Sequence, residues 1–81
     1  MKNIKDYCDI DKHDDKFHRI TLSSEKEKLL GEKKASEIKN YFHNLKNKRE
    51  EKNTDNIRVF VPKDVYKLKA LIDDLNTILN S

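Results

Sequence analysis

Cys8, His13 and His18 stand five residues apart near the start of the chain, with Asp9, Asp11, Asp14 and Asp15 among them. Thiolate, imidazole and carboxylate all ligate zinc, and a closed structural site needs four such donors in tetrahedral array. The even spacing matches no zinc motif. These side chains therefore read as a solvated polar segment with an incidental thiol, and no metal ligand is assigned. A catalytic assembly is equally hard to build. One glycine cannot make a phosphate-cradling loop, and no HExxH, CxxC or G-x-S-x-G run occurs. A nucleophile with its base and orienting group would have to come from Cys8, His13, His18 or His43, none in a recognisable context. The chain reads as non-enzymatic, with no catalytic residue and no cofactor.

Chemistry of another kind is available from the basic residues. The 81 residues are 41% charged with a net charge of +3. Residues 1–16 hold four Lys against five Asp, residues 17–56 hold ten basic against seven acidic, and residues 57–81 hold four against three. The excess sits mid-chain, where Lys46, Lys48 and Arg49 follow a helical pattern. Cations there complement a helix C-terminus, or they contact phosphates. The mildness of the charge permits nucleic-acid binding without demanding it.

The elements that must position these residues follow from periodicity. Ile57, Val59 and Val61 alternate with Arg58 and Phe60, as in a half-buried strand that Pro62 ends. Val65, Leu68, Ile72, Leu75 and Leu79 then recur at steps of three and four, predicting a helix over residues 63–79 with an a/d seam. The seam either covers the chain's own core or meets a second copy. Earlier, His18, Ile20 and Leu22 alternate with Phe17, Arg19 and Thr21, predicting a second strand with His18 on its apolar face. Ser24 and Glu27 fit a capping box for a helix over residues 25–45. Gly31 either breaks that helix or permits close approach of another. Residues 46–56 hold no apolar side chain and read as a connector, and residues 1–16 as a polar arm. The two strands pair with each other or across a dimer axis; the pattern leaves both open.

Residues 58–71, Arg58-Val59-Phe60-Val61-Pro62-Lys63-Asp64-Val65-Tyr66-Lys67-Leu68-Lys69-Ala70-Leu71, resemble the opening of ribbon-helix-helix DNA-binding proteins of the MetJ/Arc class. In that family a strand pairs with its twin in a dimer and the ribbon enters the major groove. The resemblance implies that Arg58 and Phe60 face bases. No glycine-containing turn or second helix follows. Arg19-Ile20-Thr21-Leu22-Ser23 also begins like the family's ribbon, and Ser36-Glu37-Ile38 like its second helix, which implies that Arg19 and Thr21 face DNA.

The expected fold is α+β: a small, mostly helical domain with two short strands over residues 17–81, dimeric because so small a core needs a supplement. The expected function is a homodimeric transcriptional or copy-control regulator. Arg19, Thr21 and Arg58 would meet base edges of double-stranded DNA, with Lys46, Lys48, Arg49 and Lys63 on phosphates. The alternative is an inhibitor or adaptor that docks on a larger protein through Val65, Leu68, Ile72, Leu75 and Leu79. One cysteine, no long apolar run and a start without an apolar signal core predict a cytoplasmic protein with no membrane association.

Overall fold

Period-two patterning at two places in the chain becomes two strands that pair with each other. A computed structural model describes residues 1–53 and 55–81. In chain order these residues form a 3-10 turn at Ile4–Asp6, strand β1 (Asp9–Lys12), strand β2 (Phe17–Ser23), helix α1 (Ser24–Leu30), helix α2 (Glu32–Asn44), strand β3 (Arg49–Lys52), strand β4 (Asn56–Pro62) and helix α3 (Leu68–Leu79). The strands make one antiparallel sheet in the order β1-β2-β4-β3.

The central pair sets the core. His18 lies opposite Val61, Ile20 opposite Val59 and Leu22 opposite Ile57. Ile20, Leu22, Val59 and Val61 are fully buried, because this face is the one the helices cover. Helix α2 brings Ala35, Ile38 and Phe42 to the core, and α3 brings Leu71, Leu75 and Leu79 at steps of four. Burying each large aliphatic side chain is worth about 1.5–3 kcal/mol over leaving it in water. The Lys34 ammonium from α2 donates to the Ile78 carbonyl at 2.9 Å, placing a cation at the end of α3, where the helix dipole favours one.

Helix α1 is capped by Ser23, whose hydroxyl accepts from the Lys26 amide at 3.2 Å, one residue earlier than the expected Ser24 box. Gly31 does break the helical run. It sits at φ 85°, ψ 158°, a conformation open almost only to glycine, and separates α1 from α2.

The expectation of a mostly helical domain with two short strands is overturned by the sheet. The two unforeseen strands, β1 and β3, lie at its edges. Strand β1 reads Asp-Ile-Asp-Lys and β3 reads Arg-Glu-Glu-Lys. Backbone hydrogen bonds to β2 and β4 hold them more than buried side chains do, so no apolar alternation announces them. Arg49–Lys52 is thus a strand paired with β4 rather than part of a plain connector.

The ribbon-helix-helix resemblance fails for a related reason. That arrangement is a strand followed by two helices, with the strand paired to a twin. Here β2 and β4 satisfy each other within one chain, and the two helices between them return the chain to a β3–β4 hairpin.

Residues 1–16, expected as an arm, are mostly exposed but are tied to the domain at a few points. Ile4 is fully buried and its amide donates to the Asn76 side chain at 2.6 Å, while Asn80 exchanges hydrogen bonds with the Lys2 backbone at 2.8–2.9 Å. Helix α3 starts at Leu68 rather than residue 63, because the Pro62 carbonyl accepts from both the Val65 and Tyr66 amides and closes a turn first. Among the described residues, no helix is long and apolar enough to cross a membrane.

Candidate functional site

A strand's side chains alternate faces, so a sheet covered on one side leaves half of them on the other. The register arranges that open face in rows. One row crosses all four strands as Asp11, Arg19, Phe60 and Arg49; the next as Asp9, Thr21, Arg58 and Glu51. Three of the residues expected to meet base edges, Arg19, Thr21 and Arg58, therefore share one open face on adjacent strands.

The first row is tightly organised. Asp11 holds Arg19 in a two-bond fork, Nε to Oδ1 at 3.1 Å and Nη2 to Oδ2 at 2.9 Å. This bond and the Asp11 charge raise the guanidinium pKa further. Phe60 is only 3% exposed although no helix covers it. The Arg49 guanidinium lies 4.4 Å from its ring centroid, and the His13 ring meets it edge-on at 4.7 Å. Arg49 also approaches Glu51 at 3.7 Å. The second row borders a shallow groove of about 570 Å³ whose lining includes Lys5, Asp9, Thr21, Ser23, Asn56 and Arg58. Arg58 is half-buried and makes no ion pair among the described residues.

The expected phosphate-contacting residues gather at one end of this sheet. Arg49 opens β3 opposite Phe60, and Lys46 and Lys48 lie in the turn before it. The Lys46 amide meets the Tyr66 hydroxyl, and Lys63 follows Pro62 at the end of β4. The Lys63 ammonium donates to the Asp14 carbonyl, and its amide bonds the Lys16 carbonyl at 2.9 Å. Lys12 and Lys16 flank the same β1–β2 loop. Set against these cations are Asp14, Asp15 and Asp64. Asp14 accepts from the Lys16 and Phe17 amides at 2.8 and 2.9 Å, and these bonds, the Lys16 one foremost, hold its carboxyl below the usual range.

The early Cys and His residues are not brought together. Cys8 is buried, and its thiol is pushed up to about 12, by burial first and by the Asp9 charge second, so it stays protonated. His18 is buried on the helix-covered face, whereas His13 lies against Phe60 on the open one. Burial pulls the His18 imidazole below its ordinary value and the Lys63 charge adds to this. Among the described residues no cluster of three or more His, Cys, Asp or Glu is placed to hold a metal ion.

The seam residues divide. Leu75 and Leu79 are core, Leu68 and Ile72 are half-buried, and Val65 is 46% exposed in the turn before α3. Two residues important to the open face had drawn no attention for it: Asp11, which orients Arg19, and His13, which covers Phe60. One apolar residue, Ile10 between Asp9 and Asp11, is too little to announce the strand that places Asp11, and nothing in the sequence marked His13. Comparison with protein-family models, with curated proteins and with solved structures finds no match.

Proposed function

We propose that this chain is a small non-enzymatic DNA-binding protein that works through the open sheet face and its basic end, in the role of a transcriptional or copy-control regulator. The observation that supports the reading is that Arg19, Thr21, Arg58 and Arg49 share one open sheet face, with Lys46, Lys48 and Lys63 at one end of the same sheet. Lys46, Lys48, Arg49 and Lys63 neutralise phosphates and release counterions. Arg19, Thr21 and Arg58 supply donors to base edges, with Arg19 already oriented by Asp11, so that less freedom is lost on binding. The protonated, buried Cys8 fits a reducing, cytoplasmic setting.

The test is fluorescence anisotropy with a labelled mixed-sequence oligonucleotide. Four phosphate contacts correspond to a log–log salt slope of about −3 to −4, so affinity falls roughly a hundredfold between ~50 and ~200 mM salt. Lys46→Glu with Lys48→Glu flattens that slope if the reading is right. An unchanged slope rejects it.

One observation favours a second reading. The open face carries Asp9, Asp11 and Glu51 beside Arg19, Arg49 and Arg58, a balanced mixture suited to a protein partner. In that reading the chain is an inhibitor or adaptor. Leu75 and Leu79 are then unavailable, and α3 offers only Leu68 and Ile72 beside Val65. A homodimer has the free edges of β1 and β3 to join through. Both edges are charged, which discourages strand addition.

A further inference from the structure

The charge of the proposed surface is divided unevenly. The open face is formally balanced, whereas Lys12, Lys16, Lys46, Lys48 and Lys63 gather at or beside the sheet end against Asp14, Asp15 and Asp64. Phosphate attraction therefore resides at the end, and the face presents planar, hydrogen-bonding groups. Across that face run two guanidiniums fixed in place. Arg19 is held by Asp11 through two bonds, and Arg49 lies over the Phe60 ring at 4.4 Å. The Phe60 ring is itself covered, so the surface available for stacking is the guanidinium above it and the exposed His13 ring at its edge.

Size separates two kinds of DNA. Neighbouring strands lie about 4.8 Å apart, so a four-strand row spans about 14 Å between outer backbones. The major groove is about 12 Å wide and admits a helix or a two-stranded ribbon. This sheet has no ribbon standing free, since β2 and β4 are flanked by β1 and β3 and backed by helices. It does not fit flat into an undeformed major groove. An unpaired strand meets no such limit, and its exposed bases stack on guanidinium and imidazole planes.

Resting on the DNA-binding reading above, we infer that the row formed by Arg19, Arg49 and the His13 ring, the last two seated on Phe60, binds unpaired bases, making single-stranded DNA the preferred ligand of this surface. Phosphates of the same strand reach the lysines at the sheet end. Arg58 and Thr21, one row further, supply donors to the neighbouring base.

The experiment is anisotropy at one salt concentration with three labelled probes: a mixed-sequence single strand, its duplex, and an abasic single strand of equal length. The single strand is expected to bind at least about fivefold tighter than the duplex and the abasic strand, the lower end of what stacking one base is worth. Arg49→Lys keeps the charge but removes the plane. It is expected to weaken the base-bearing single strand by a similar factor, and the abasic strand, which meets only the retained charge, by clearly less. Circular dichroism of the variant establishes that it is folded. Equal or tighter duplex binding, or an Arg49→Lys protein that binds the single strand as before, overturns the inference while leaving DNA binding intact. No binding to any probe overturns both.

Discussion

Phe60 is the test of whether the open face is an ordered surface. Its ring is 3% exposed on a side without helices, held by an edge-on His13 at 4.7 Å and by Arg49 at 4.4 Å. Phe60→Leu keeps an apolar side chain of β4 in place and removes both ring interactions. An aromatic pair contributes about 0.5–1.5 kcal/mol and a partly exposed cation–π contact about 0.5–1. The expected loss is thus about 2 kcal/mol. For a domain of this size 1 kcal/mol moves Tm by about 4–8 °C, so the midpoint drops by roughly 10 °C. Thermal unfolding followed by circular dichroism measures it, and a double-mutant cycle with Arg49→Leu isolates the cation–π part, expected at about 0.5–1 kcal/mol. A midpoint shift below about 2 °C, or no coupling in the cycle, would refute the packing argument and the fixed guanidinium with it.

Gly31→Ala meets no steric obstacle within 4 Å, yet φ 85° with ψ 158° is strained for any other residue. It should cost about 1–3 kcal/mol by urea denaturation, and a neutral result would mean that the break between α1 and α2 is not fixed. Leu75→Ala removes a core side chain and should cost about 2–5 kcal/mol, most of the stability of so small a domain, whereas Val65→Ala should stay within about 0.5. Similar midpoints for those two variants would mean that α3 is not packed as described. His18 favours its neutral form in the fold, because burial and then the Lys63 charge lower its pKa from 6.5. Its contribution is therefore complete above about pH 6.5 and is lost as pH falls through the lower folded value. His18→Leu should flatten the fall in urea midpoint from pH 7 to pH 5, and an undiminished fall would assign the dependence to other groups.

The central pair of strands was legible because burial writes itself into sequence. His18, Ile20 and Leu22, and Ile57, Val59 and Val61, alternate for the plain reason that one side of each strand meets the helices. The apolar positions of α2 were legible for the same reason at the helical period; in α3 the period was legible, but the buried row is Leu71, Leu75 and Leu79 rather than a seam through Leu68 and Ile72. What burial does not govern was not legible. Strand β3 has no apolar residue and β1 has only Ile10, and both exist because neighbouring strands offer unpaired backbone groups. Pro62 ends its strand as expected, but its carbonyl closes a turn, which neither proline chemistry nor the seam foretold. The site followed the same division. Arg19 and Thr21, and Arg58 with Phe60, fall on one face by alternation alone. That the two pairs sit side by side, with Arg49 laid over Phe60, depends on a register that no single segment specifies.

The central claim is that nucleic acid binds the open sheet face and its basic end. Amide chemical-shift mapping on the isotope-labelled chain, titrated with a single-stranded oligonucleotide, tests it most directly. The account predicts shifts at Arg19, Thr21, Arg58, Phe60 and Arg49, continuing into Lys46, Lys48 and Lys63, with α1 and the outer side of α3 unmoved. Shifts confined to the helices, or none at low salt, would contradict it.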